Sequence, residues 1–171
     1  MIIADASAII ALAKMRRLEL LSRVYGEVLI GPTVKVEALD QGRAISALGV
    51  EQVEEAIQKG RLQVARLAKK EKQLAQRILK NSRLHEGEAE SLAISKSRRL
   101  PVILDDKEAR AYAELLGVEL IGTAGVLLEA FIKGNMTLEQ LEEAVEDLSG
   151  TIWLSPSVVA EILKRAREAI K

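Results

Sequence analysis

Asp5 closes the apolar run Ile2-Ile3-Ala4, and Asp105-Asp106 closes Pro101-Val102-Ile103-Leu104. Glu37 falls in a helical stretch one turn beyond Thr33, while Glu88 and Glu90 stand in Gly87-Glu88-Ala89-Glu90, where an Ala/Leu/Ile-rich helix begins. Each acid alone has a local explanation. An Asp at a strand end forms turns, Asp106 can cap a helix starting at Lys107, Glu88 or Glu90 can complement a helix dipole, and Glu37 fits a solvated helix face. Carboxylates converging on one crevice are a different matter, because at about 4 Å and an effective dielectric near 20 two of them repel by roughly 4 kcal/mol. A cation must compensate. Oxygen-only ligands suit a hard divalent ion, so Mg²⁺ or Mn²⁺ is the expected cofactor, and hydrolysis of a phosphate ester is the reaction such a site performs.

Within each close pair only one acid is expected to reach the ion. Glu88 and Glu90 are two residues apart on a helix and cannot face the same way; Glu88 is preferred, since Glu90 shares its face with Ala93 and Ile94. Consecutive side chains also diverge at a strand-to-helix junction, and Asp106 is preferred over Asp105 as the direct ligand. Asp105 stays in the candidate metal set.

Composition removes competing chemistries. The chain has no cysteine, so disulfides, thiolate metal sites and cysteine nucleophiles are excluded, and His85 as the single histidine disfavours zinc sites and Ser/His/Asp triads. Lys+Arg and Asp+Glu both number 25, so net charge gives no sign of a polyanionic partner. Aromatic residues make up 2%, too few for base-stacking platforms. The N-terminus has no basic region ahead of an apolar segment, and the apolar runs are short and interrupted, which points to the cytoplasm and away from a membrane.

To bring these acids together the chain needs a parallel sheet covered by helices, and its alternation of short apolar runs with longer segments of helical period predicts one. Strands are expected at Ile2–Asp5, Glu27–Ile30, Arg61–Arg66, Val102–Leu104, Glu119–Ile121 and Thr151–Leu154. Helices are expected at Ala8–Leu21, Thr33–Gln41, Glu51–Lys59, Lys69–Asn81, Gly87–Ser97, Lys107–Leu116, Ala124–Lys133, Leu138–Leu148 and Ser157–Ile170. Ser7 is expected to cap the first helix, Thr137 with Gln140 to form a capping box, and Gly117, Gly134 and Gly150 to close helices. Gly122-Thr123-Ala124-Gly125 matches neither the dinucleotide fingerprint nor the P-loop; it reads as tight strand–helix packing with Thr123 as the cap, at a helix N-terminus able to help hold a phosphate.

Local charge supplies what net charge does not. Between Lys59 and Arg83 the only acid is Glu71, and Lys69, Lys70, Lys72, Arg77, Lys80 and Arg83 form a basic stripe whose helix is anchored through Leu67, Leu74 and Ile78. Such a stripe fits nucleic-acid phosphates, with an ordinary solvated helix as its bland alternative. Lys96, Arg98 and Arg99 are expected to extend it toward the acids.

Four segments, in order, resemble the acidic motifs of PIN-domain nucleases: Ile2-Ile3-Ala4-Asp5-Ala6-Ser7, Pro32-Thr33-Val34-Lys35-Val36-Glu37, Gly87-Glu88-Ala89-Glu90 and Ile103-Leu104-Asp105-Asp106-Lys107-Glu108-Ala109-Arg110. The resemblance runs over nearly the whole chain and is closest to a prokaryotic branch that carries Gly-Thr-x-Gly-Val-Leu, here Gly122 to Leu127, and is related to VapC-type toxins. It implies an α/β fold, a three-layer α/β/α sandwich on a parallel sheet; a composition shift near Asn135, after which acids dominate up to Asp147, divides the chain into a catalytic domain over 1–134 and a helical extension over 135–171 packed on the same domain. The resemblance also implies a Mg²⁺- or Mn²⁺-dependent ribonuclease that leaves a 5′-phosphate. Asp5, Glu37, Glu88 and Asp106 match the acidic positions, Ser7, Glu90, Thr123 and Asp105 support them, and a small antitoxin protein and a homodimer are the implied partners. Two positions depart from the pattern: the third acid is Glu where many relatives have Asp, and the Thr that VapC-like toxins often place two residues before the last acid is absent.

Two rival classes follow from the same residues. A PIN-like module with an incomplete metal site would bind RNA through the basic stripe without cutting it. A receiver-type phosphotransfer domain would need a phospho-accepting Asp on a middle strand, yet Glu27–Ile30 runs into Gly31-Pro32 without one.

Overall fold

Five short strands pair in parallel in the computed structural model, which describes residues 1–170: β1 (Ile2–Ala4), β2 (Val28–Ile30), β3 (Leu62–Val64), β4 (Val102–Ile103) and β5 (Leu120–Ile121), in the order β3-β2-β1-β4-β5. Every central strand is apolar at consecutive positions because both faces of the sheet are covered. Ile2, Ala4, Val28, Ile30 and Ile103 enter one core, while Ile3, Leu29, Val102 and Leu104 enter the other. The first core is filled by α1 (Ala6–Lys14), α2 (Glu19–Tyr25), the α3 segment (Pro32–Lys35) with its continuation, α5 (Val50–Gln58), α9 (Thr123–Ile132), α10 (Leu138–Thr151) and α11 (Pro156–Ala169). On the opposite face lie α6 (Lys69–Asn81), α7 (Glu86–Arg98) and α8 (Lys107–Leu116). The result is a three-layer α/β/α sandwich.

Strand order reverses between β1 and β4. From β1 the chain proceeds to β2 and β3 on one side, then crosses to β4 and β5 on the other. The crevice beyond the carboxyl ends of β1 and β4 is therefore the topological switch point, where open α/β sheets hold their ligands. Asp5 immediately follows β1, and Asp105-Asp106 follow β4 after the single buried residue Leu104.

Several expected boundaries move, each for a local reason. The helix expected over Ala8–Leu21 is two helices, because Arg16 adopts φ 57° and the chain closes α1 with Arg16 N–H on Ala13 and Arg17 N–H on Leu12. That is the left-handed cap a glycine usually supplies. Asp5, not Ser7, is the cap of α1; Ser7 lies inside the helix and donates to the Asp5 carboxylate. The helix after β2 continues beyond Lys35 as a π-helical turn over Val36–Gln41 and a last turn, α4 (Gly42–Ala44). Gly122, not Thr123, occupies the cap position of α9, and Gly150 lies within α10 rather than ending it.

Thr151–Leu154 is not a strand. α10 runs through Thr151, and Ile152 and Leu154 pack on the first core while Trp153 between them is 85% exposed. The in-out-in alternation belongs to a connector between two helices and imitates a strand's period of two. The capping box of Thr137 with Gln140 and the left-handed glycines Gly117 and Gly134 are present. Residue 171, the end of the expected extension, lies outside the described residues. Among the described residues no helix is long and apolar enough to cross a membrane.

Candidate active site

Asp5 is the hub of the crevice. β1 delivers it at the strand end, its N–H donates to Ile103 O of the neighbouring strand at 3.3 Å, and its side chain is 5% exposed. Its Oδ2 accepts from Ser7 Oγ at 3.0 Å and Ser7 N at 3.4 Å. Burial raises its pKa, the bonds from Ala6 and Ser7 oppose that, and the nearby Asp105 charge adds to the rise.

Glu37 reaches the crevice from the π-helical turn. A π turn adds one residue to the helical register and is frequent at functional sites because it re-aims the side chains it carries. Glu37 packs against the backbone of Gly87, where a Cβ would lie 3.0 Å from Oε2 and 3.3 Å from Oε1. The glycine of Gly87-Glu88-Ala89-Glu90 is thus the gap that admits another segment's carboxylate. Burial raises the Glu37 pKa, with the Asp5, Glu90 and Glu86 charges adding and His85 opposing.

Glu88 and Glu90 diverge as their spacing requires. Glu88 Oε2 reaches back to the N–H of His85, the cap of α7, at 2.8 Å; burial raises its pKa, helped by the Asp5 and Asp106 charges and opposed by the His85 bond. Glu90 Oε2 instead crosses to Thr33 N–H at the start of α3, at 2.9 Å. Gly31 makes that approach possible, since a Cβ there would sit 2.7 Å from Glu90 Oε2.

Asp105 and Asp106 also take different partners. Both oxygens of Asp105 face the β5–α9 turn: Oδ1 accepts from Thr123 N at 2.8 Å and Oδ2 from Thr123 Oγ1 at 2.5 Å. Asp106 caps α8 through Oδ1 and Ala109 N at 2.8 Å. Arg110, which the sequence reading missed, donates from Nη1 to Leu104 O at 2.9 Å and lies beside Asp105, both bordering the space where a Gly122 Cβ would stand. Glu86 was also missed; its charge acts on Glu37, and its place just ahead of Gly87 was the available signal.

The structure brings Asp5, Glu37, Glu88, Asp105 and Asp106 into one electrostatic neighbourhood from four separate segments. Their donor type fits a hard divalent cation, and burial first, then the charges of neighbouring acids, raises the pKa of Asp5, Glu37 and Glu88. In this conformation, among the described residues, no three acidic or histidine side chains close around a single ion position. Four of the acids spend an oxygen on a backbone N–H instead, those of Ser7, His85, Thr123 and Ala109.

The basic stripe lies on α6 and the turn after it. Lys69, Lys70, Lys72, Arg77, Lys80 and Arg83 are all exposed, while Ala75 and Ile78 are buried beneath them with Leu74 partly so. Glu71, the one acid of the stretch, is turned inward and 2% exposed. It accepts from Ala68 N at 2.7 Å and from Arg98 Nε and Nη2 at 2.8 and 3.1 Å, which pulls its pKa down. This corrects the expected extension of the stripe: Lys96, Arg98 and Arg99 sit at the end of α7 remote from Glu88, roughly 15 Å along its axis, and Arg98 is consumed by Glu71.

The fold and the site together define a parallel α/β/α sandwich with carboxylates gathered at its switch point. A family model described as a PIN domain matches residues 1–168, and the chain belongs to the PIN-domain family. PIN domains are generally nucleases that use divalent metals and act on nucleic acid. No curated protein and no solved structure matches the chain.

Proposed function

We propose that this protein is a Mg²⁺- or Mn²⁺-dependent ribonuclease whose site is built on Asp5, Glu37, Glu88 and Asp106. The observation that carries this reading is the meeting of acids from distant parts of the chain around Asp5, at the crevice between β1 and β4, with burial and mutual charge opposing their ionisation. Asp5, Glu88 and Asp106 would hold the cation, with Asp105 completing the set or anchoring its edge. When bound, the cation supplies Lewis acidity toward the phosphodiester and water. Glu37, made more basic by burial and by the Asp5 charge, is suited to take the proton of the attacking water on a carboxylate oxygen. Ser7 orients Asp5, Glu90 ties the Glu37 segment to α7 through Thr33, and Thr123 fixes Asp105. Lys69, Lys70, Lys72, Arg77, Lys80 and Arg83 hold the RNA backbone on a face from which Glu71 has been withdrawn.

Residues 135–171 form an extension of the same domain in this reading, supported by the packing of α10 and α11 on α9. A small antitoxin and a second copy of the chain are its partners, to be sought as a copurifying protein and as a dimeric elution volume from the cytoplasm. The deciding experiment is RNA cleavage with Mn²⁺, comparing wild type with Asp5→Asn. Cleavage that depends on Mn²⁺ and disappears in the variant supports the reading; equal cleavage by both rejects it, and RNA binding without cleavage by either favours the binding-module alternative.

A further inference from the structure

Beside the acids lies a second concavity, of about 440 Å³, between α6 and α7 at the start of α3. Its volume falls in the range of small-ligand sites, roughly 300–1,000 Å³. Pro32, Leu67 and Leu79 give it apolar walls, and Gln76 adds an amide. On its rim stand Arg66 and Lys72, both exposed and neither in an ion pair among the described residues. Glu86 and Glu90 form the wall nearest the acids. Glu90 commits Oε2 to Thr33, whereas Glu86 is an exposed carboxylate in the first turn of α7.

The three kinds of lining ask for a ligand with an anionic end, a flat apolar body and an edge rich in N–H donors. A nucleotide supplies the first two through its phosphate and base. The third separates the bases. Guanine sets an imino N–H beside an amino group, so one carboxylate accepts two parallel bonds, the same fork-to-fork match that makes Arg–carboxylate pairs strong. Adenine and cytosine offer a single amino group next to a ring nitrogen whose lone pair faces the carboxylate. Uracil flanks its imino N–H with two carbonyl oxygens. We propose that this cavity is a guanine-nucleotide subsite, in which Glu86 accepts from the base edge, the apolar walls hold the base, and Arg66 and Lys72 take the phosphate.

The inference rests on the nuclease reading for its biological meaning, because two of the lining residues border the acid crevice: Glu86 precedes Gly87, against which Glu37 packs, and Glu90 fills the gap at Gly31. It would give the enzyme a guanine preference at a fixed distance from the cleaved bond.

The test is an equilibrium titration of the ¹⁵N-labelled full chain with guanosine, adenosine, cytidine and uridine 5′-monophosphates in EDTA, followed by amide NMR shifts. The expected result is binding of the guanosine nucleotide about tenfold tighter than the others, as a bidentate charge-assisted pair provides, with shifts centred on Gln76, Leu79 and Glu86. Glu86→Gln should abolish the preference while leaving the adenosine nucleotide bound equally or slightly better, since a negative charge is removed. Arg66→Ala with Lys72→Ala should weaken all four alike; all of these positions are exposed, so the variants should fold. Equal or undetectable binding of the four, or a guanine preference that survives Glu86→Gln, overturns the proposal. Mn²⁺-dependent RNA cleavage measured in parallel keeps the two readings apart. Cleavage lost in Asp5→Asn but without guanine selectivity sinks the subsite alone, and Glu86-dependent selectivity with cleavage indifferent to Asp5→Asn sinks the nuclease reading alone.

Discussion

Replacing Asp5 by asparagine should make the protein more stable without metal and less stable with it. Asp5 is 5% exposed, and burial and the Asp105 charge raise its pKa above the unfolded value. Between those two values the folded state binds more protons than the unfolded one, so stability is full below the ordinary carboxylate range and falls as pH rises through the folded pKa. At neutral pH the penalty remains, at about 1.4 kcal/mol for each unit by which ionisation is opposed. The asparagine side chain has the same shape, cannot ionise and can still accept from Ser7, although the bonds at 3.0 and 3.4 Å lose their charge assistance, roughly 0.5 kcal/mol each. Removing the ionisation penalty should outweigh the lost charge assistance, so the variant is expected to melt above wild type in EDTA. Saturating Mn²⁺ should reverse the order, because a ligand at 100 times its dissociation constant adds about 2.7 kcal/mol to the state that binds it, and the variant has lost the central ligand. Circular dichroism melts of both proteins at neutral pH, in EDTA and in Mn²⁺, read this directly. A variant that melts below wild type in EDTA, or an equal rise with Mn²⁺ in both, would refute the argument that Asp5 is kept at a cost in stability for the sake of a cation.

Three further outcomes follow from particular contacts. Gly87→Ala places a methyl 3.0 Å from Glu37 Oε2, so RNA cleavage should fall at least about tenfold while the melting temperature holds, alanine being the better helix former. Arg98→Ala leaves the buried Glu71 with only the Ala68 N–H; because Arg98 is about a third exposed and partly screened, the expected loss is about 2 kcal/mol, seen as a melting temperature lower by roughly 4–8 °C. Asp105→Asn can still accept from Thr123 N–H and donate from its amide to Thr123 Oγ1, so it should cost only the charge assistance of two bonds, about 1 kcal/mol, whereas Asp106→Asn keeps an equally good helix cap and should stay within about 0.5 kcal/mol of wild type in urea unfolding while losing cleavage.

The sheet and the acids were legible because strong local signals fixed them. A strand buried on both faces is a short unbroken apolar run, and the runs Ile2–Ala4 and Val102–Leu104 are each followed by an acid, so the sequence marks the ends of the two central strands. Helices with a polar face and an unambiguous end, α6 and α8, have the bounds their pattern predicts. Missed boundaries share a cause: the backbone there does something its residue types do not advertise. Arg16 takes a left-handed turn that glycine normally marks, and Val36–Gln41 widens into a π turn although nothing in Val-Glu-Ala-Leu-Asp-Gln distinguishes it from an ordinary helix. Trp153 stands exposed between two packed side chains, so a connector carries the alternation of a strand.

What a single sequence could not provide was the partner of each charge. Glu71 and Arg98 are 27 residues apart, and only the antiparallel packing of α6 on α7 turns one acid of a basic stretch inward, making its outer face more uniformly positive than composition suggests. The different partners of Asp105 and Asp106 were likewise beyond local reasoning, because they depend on where β5 returns the chain: Thr123 meets both oxygens of Asp105, while Asp106 keeps Oδ2 outside its capping bond. The glycines show the same dependence in reverse. Gly31 and Gly87 have ordinary backbone angles, so neither is demanded by its own turn; each leaves space for a carboxylate from another segment, Glu90 for the first and Glu37 for the second. Two such reciprocal gaps lock α3 with its π turn against the start of α7, and that interlock, rather than any single acid, sets the width of the crevice into which a cation and a phosphodiester would have to fit.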